Sequence, residues 1–205
     1  MLLNIFSSVD DFCKVFSRFW NRQLISTGGF RRIKPSSLCL SEVMTIMVYF
    51  HISRYRTFKD YYIKHVCQHM RTEFPGLVSY NRFVELMSGA MIPLMVYLQR
   101  CRLKKSAGIA FVDSTTLKVC HNRRIHSHKT FRDIAQRGKT SMGWFYGFKL
   151  HLIVNHMGDL ISVMLTPGNV DDRNLSMMQI LTLNVLGKLF GDRGYISSKL
   201  FKALL

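Results

Sequence analysis

Along the first half of the chain apolar residues return every three to four positions, the period of a helix with one buried stripe. Ser8-Val9-Asp10-Asp11 has the form of a capping box, and Phe12, Val15, Phe16 and Phe19 follow it, predicting a first helix. Ser41 is placed to cap a second, with Val43, Ile46, Met47 and Phe50 on its stripe. Thr57 opens a shorter third, and Ser79 opens a fourth that runs past Phe83, Met87 and Met91 to Pro93, where a kink is expected. A basic loop, Gly28 to Pro35, joins the first two. Residues 1–107 are therefore predicted to be all-helical.

After Gly108 the period changes. Ile109 to Val119 reads as a strand, a basic loop follows, and Phe145 to Asn155 alternates with Phe148, Leu150, Leu152 and Val154 on one face, predicted to be the core face. His156 to Asp159 forms a turn into Leu160 to Leu165, and Pro167-Gly168 ends that hairpin. Asp171 or Asp172 is placed to cap a helix over Leu175 to Leu186. Leu189-Phe190 then gives a short strand ending at Asp192, and Ser197 begins one more helix. Residues 108–205 are thus predicted to form a second region built on a mixed sheet, and the whole chain an α/β (α+β) protein.

Composition narrows this picture only in part. With 48% apolar residues over 205 positions the chain can bury a substantial core, which excludes general disorder. The net charge of +17 is unevenly placed: residues 1–107 hold 16 basic and 6 acidic residues, residues 118–149 hold 8 and 1, and the remainder hold 5 of each. Such a field suits nucleic acid, a ribosome or a membrane surface, and alone does not choose. Five scattered cysteines without a Cys-x-x-Cys pair argue against a disulfide framework or a structural zinc site. No apolar stretch approaches the ~20 residues needed to span a bilayer, and the start lacks the form of a signal peptide, so a cytoplasmic protein is expected.

Against this cationic background, two apolar runs each deliver an acid: Gly108 to Asp113 and Lys188 to Asp192. Carboxylates converging at strand ends suit a hard divalent cation in a site for a polyanion. The competing local reading of Asp113 is a strand-end acid bonded to Ser114 or Thr115.

Four blocks carry a resemblance: Val112-Asp113-Ser114-Thr115 on to Asn122, Arg137 to His151, Leu165 to Asp172, and Gly191-Asp192-Arg193-Gly194-Tyr195. In this order they resemble the DDE transposases of bacterial insertion sequences. The resemblance implies an incomplete RNase H-like core, Asp113 and Asp192 as catalytic metal ligands, and Mg²⁺ or Mn²⁺ as cofactor. It further implies double-stranded DNA as partner, both element ends and target, with a homo-oligomer as the active form beside the nucleoid. The family's third acid, a Glu on a later helix, has no counterpart, because no Asp or Glu follows Asp192. A truncated copy is therefore expected, and a non-catalytic DNA-binding remnant and a structure-specific nuclease stand as alternatives. The helical region fits DNA-end binding and fits a packing or dimerisation module equally well, since no short turn fixes a recognition helix.

Arg123, Arg124, Lys129, Arg137 and Lys139 fall in the basic segment and are read as phosphate contacts, with a solvated loop as the alternative. Its histidines are set aside as metal ligands, since the neighbouring cations would repel a metal. Lys149, beside His151 on the polar face of its strand, points either at DNA or at water. Asp171 and Asp172 serve as helix caps or as support beside a metal. Trp144, Phe145 and Tyr146 either stack on a base or belong to the core.

Overall fold

A computed structural model describes residues 1–26, 36–104 and 106–204. They fall into two compact units, Met1–Cys101 and Arg102–Leu205.

The first unit is helical. It consists of α1 (Leu2–Ser26), α2 (Leu40–Phe50), α3 (Phe58–Asp60), which runs through a π-helical stretch at Tyr61–Val66 into α4 (Cys67–His69), and α5 (Tyr80–Tyr97). Its core gathers Val9, Met44, Ile46, Tyr61, Tyr62, Val66 and Phe83, all fully buried. The two buried phenols keep partners, Tyr61 donating to the Ile46 carbonyl at 3.1 Å and Tyr62 to that of Val78 at 2.7 Å.

Thr57 and Ser79 cap as predicted, accepting from the backbone N–H groups of Asp60 and Arg82. Two other starts differ. Because α1 already begins at Leu2, Ser8-Asp11 lies inside it: the Ser8 hydroxyl bonds that of Tyr97 at 2.9 Å, and Asp10 pairs with Lys14 at 2.8 Å. Its buried stripe is Val9, Cys13 and Phe16, while Val15 and Phe19 are exposed. Cys39, not Ser41, precedes α2, its N–H donating to the Glu42 carboxylate at 2.7 Å, and Ser41 turns inward to donate to Asp10 at 2.8 Å. Helix α5 continues through Pro93. The Gly28–Pro35 loop lies outside the described residues.

The second unit is a five-stranded mixed sheet with two short helices: β1 (Ser106–Cys120), β2 (Gln136–Thr140), β3 (Gly143–Asn155), β4 (Leu160–Pro167), α6 (Leu175–Leu181), β5 (Val185–Gly191) and α7 (Ser198–Leu204). Strand β3 is central, antiparallel to β1 on one edge. On its other edge β2 pairs with residues 143–147 and β4 with residues 148–154. Strand β5 adds to β1 in parallel. The chain is thus an α+β protein, a helical region followed by a mixed-sheet region.

The sheet faces are the reverse of the expected ones. The covered side carries Ala110, Val112, Lys149, His151, Ile153 and Ile161, packed with Met177, Met178, Leu181, Tyr195 and Leu200. Phe148, Leu150, Leu152 and Val154 occupy the other side and are only half-buried. Strand β2 was not expected, because Gln136-Arg137-Gly138-Lys139-Thr140 has no apolar alternation to mark it. Helix α6 is capped by Asn174, which accepts from the Met177 N–H at 3.0 Å, so neither Asp171 nor Asp172 is the cap. That helix ends at Leu181, and β5 begins at Val185 rather than Leu189.

Candidate active site

The parallel register of β1 and β5 pairs Val112 with Gly191; Asp192 follows the end of β5, whereas Asp113, one position past that pair, stays inside β1 opposite Leu152 of β3 rather than at the expected strand end. Both are exposed. Asp113 Oδ1 accepts from the Ser114 N–H at 2.7 Å, the bond of the local reading, and Asp192 Oδ1 accepts from the Gly194 N–H at 2.9 Å. Among the described residues no hydrogen bond engages the second oxygen of either carboxylate. Each carboxylate thus keeps one oxygen turned to solvent, a donor of the kind that a hard divalent cation takes. No group of three His, Cys, Asp or Glu able to hold a metal occurs among the described residues.

Behind the acids lies a buried polar chain. Lys149, its side chain 9% exposed, donates to Asp172 Oδ1 at 3.0 Å and to the Val170 carbonyl at 2.9 Å. The fully buried His151 bonds the Thr166 hydroxyl through Nε2 at 2.9 Å, and its Nδ1 stands 3.5 Å from the Tyr195 hydroxyl. Burial holds the His151 pKa below its ordinary value; Asp172 opposes that shift and Lys149 adds to it. The Tyr195 phenol is pushed up to about 12, first by burial and then by Asp172, Asp113 and Asp192, against a lowering hydrogen bond from Ser114. Both groups are accordingly neutral at pH 7. Asp171 is held below the usual carboxylate range by Arg173, whose guanidinium meets both of its oxygens at 3.1 Å.

A polar cleft of about 480 Å³ opens beside these residues, lined by Arg137, Lys139, Trp144, Lys149, Asp172 and Gly194 among others. The close approach of β2 to the turn after β4 shapes it, and a Cβ at Gly138 would strike the Gly168 carbonyl. Of the predicted phosphate contacts, Arg137, Lys139 and Lys149 therefore share one cleft that reaches Gly194, the residue bonded by Asp192. Arg123 and Arg124 sit on the 3₁₀ turn Asn122–Ser127 and Lys129 follows it; all three are exposed and none lines the cleft. Neither water nor the outer surface is where Lys149 and His151 end: both point into the covered face. The ion pair of Lys149 with Asp172 and the place of Tyr195 were not legible beforehand, because β3 and the loop after β4 are joined only by the fold.

Fold and cleft define a class: an α+β protein, a helical region followed by a mixed sheet, with Arg137, Lys139 and Lys149 lining one polar cleft. Residues 103–205 match the family described as Transposase DDE domain. The chain belongs to that family. Neither the curated proteins nor the solved structures include a match to it.

Proposed function

We propose that this chain carries the DNA-binding and ion-binding part of a bacterial insertion-sequence transposase, a class that cleaves and joins DNA strands with Mg²⁺ or Mn²⁺ on an RNase H-like sheet. The observation that carries the reading is the register of β1 and β5, which brings Asp113 and Asp192 each one position past the paired Val112 and Gly191, with Gly194, bonded by Asp192, lining the cleft of Arg137 and Lys139. Asp113 and Asp192 would hold the ion. When bound, it supplies positive charge for the attacking and leaving oxygens of the phosphodiester. Arg137 and Lys139, without ion-pair partners among the described residues, bind and orient backbone phosphates. Lys149 does a different job: neutralising Asp172, it fastens the loop after β4 to the sheet and so fixes one cleft wall. Double-stranded DNA, at element ends and target, is the partner, and a homo-oligomer beside the nucleoid is the active form.

A non-catalytic DNA-binding remnant is the second reading, favoured by the lack of a third converging ligand among the described residues. Affinity for DNA and affinity for metal separate the two terms of the proposal. Asp113→Ala should lower Mn²⁺ binding, followed by electron paramagnetic resonance, while leaving duplex affinity within about twofold, since phosphate contacts and metal ligation are separate. Replacing Arg123, Arg124, Lys129 and Arg137 together by Gln should weaken the duplex complex and flatten its salt slope by about one unit per lost phosphate contact. An unchanged slope would assign those cations to solvent, and Mn²⁺ binding unaffected by Asp113→Ala would remove the metal site.

A further inference from the structure

Three consecutive aromatic residues enter β3, and the fold treats them differently. Phe145 and Tyr146 are 2% and 6% exposed, whereas Trp144 is 56% exposed. Packing needs do not account for that exposure, because the indole stands in a polar cleft and not against the apolar core. Cations flank it instead. The Arg137 guanidinium carbon lies 5.6 Å from the ring centroid and the Lys139 ammonium 5.7 Å, with Lys139 directly opposite Trp144 across the β2–β3 pair. Neither cation has a carboxylate partner among the described residues, while the acids of the same cleft are already neutralised, Asp171 by Arg173 and Asp172 by Lys149. The Trp144 carbonyl is tied to the Asn122 side chain at 2.8 Å, and Gly138 across the pair leaves room for the turn after β4. The indole is thus anchored at its backbone, met by two cations at its ring, and still more than half exposed.

An exposed indole with two cations at its ring, neither paired with a carboxylate among the described residues, matches one ligand chemistry in particular, a planar base with its phosphates. A base stacked inside a duplex does not offer its face. We propose that Trp144, Arg137 and Lys139 form a grip for one unpaired nucleotide in the cleft that reaches Gly194, the base lying on the indole and its phosphates on the two cations. This rests on the transposase reading above and adds to it a preference for strand ends whose last bases are unpaired. The geometry also fixes which terms belong to which residue: stacking is salt-independent and falls to Trp144, and the phosphate contacts fall to Arg137 and Lys139.

The test uses the full chain with Trp20→Phe, which leaves Trp144 as its one tryptophan. The probes are a duplex, the same duplex with a short single-stranded thymidine overhang, and oligothymidine alone. Overhang DNA is expected to quench Trp144 fluorescence, and Trp144→Ala to weaken overhang binding roughly tenfold with an unchanged salt slope, whereas Trp144→Phe recovers most of the loss. Lys139→Gln should flatten the slope by about one unit. Thermal unfolding of the Ala and Phe variants, which should coincide, separates a binding loss from misfolding. Duplex binding with no quench by the overhang, and equal affinity of the wild type and Trp144→Ala, would overturn the grip while leaving the transposase reading intact. Failure of all three DNAs to bind would remove both.

Discussion

His151 shows how a single side chain can look polar in sequence and be structural in the fold. Fully buried and hydrogen-bonded to Thr166, it sits with its pKa below the ordinary imidazole value near 6.5. A base whose folded pKa is lowered binds fewer protons than its unfolded form, so its contribution to stability is complete above about pH 6.5 and drains away as pH falls below that value. Unfolding midpoints measured from pH 7.5 to 5.5 are therefore expected to drop on the acid side in the wild type and to stay flatter in His151→Gln. The paired carboxylates do not interfere, because Asp10, Asp159 and Asp171 are all lowered from 3.8 and so titrate below this window. A midpoint that falls equally in both proteins would show that His151 is not held neutral.

At the scale of elements, local chemistry was legible where a residue acts on its own neighbours. Thr57 and Ser79 announce their helices because each hydroxyl meets an N–H three residues on. Ser8 and Ser41 look alike in sequence but spend their hydroxyls on Tyr97 and Asp10, partners brought near only by packing. The same holds for β3: its apolar alternation marked the strand but not its inward face, since Lys149 and His151 become tolerable inside only once Asp172, Thr166 and Tyr195 arrive from later elements. Of the candidate site, the two acids stand out in sequence because each ends an apolar run, whereas the edge strand β2, which brings Arg137 and Lys139 to the cleft, has no such pattern.

Glycines give these elements a direct test. Gly89, exposed within α5, has open space around its missing side chain, so Gly89→Ala should raise stability by about 0.5–1 kcal/mol through helix propensity. Gly138→Ala should cost about 1–3 kcal/mol, because its methyl meets backbone at Gly168. Chemical denaturation of both variants checks the pair, and equal effects would mean that β2 does not lie against that turn.

On the scale of the whole molecule, two features stand out: a large positive charge and a sheet with one face well covered. The other face leaves Ile109, Phe111, Leu117, Leu165 and Phe190 each more than two-fifths exposed among the described residues. Apolar exposure of that extent favours association, while the charge favours nucleic acid. The chemistry has a stricter requirement. Both oxygens of the reacting phosphodiester must be steadied at once, which two ions about 3.5–4 Å apart do when several carboxylates share them. Asp113 and Asp192 offer two, and no third His, Cys, Asp or Glu joins them among the described residues. The expected outcome is that the purified 205-residue chain binds DNA ends yet neither cleaves nor joins them with Mg²⁺ or Mn²⁺. End-labelled DNA carrying an insertion-sequence terminus, incubated with the chain and resolved on a denaturing gel, measures this. Strand transfer abolished by Asp192→Ala would refute the expectation, and would require that a further acid or a second subunit completes the site.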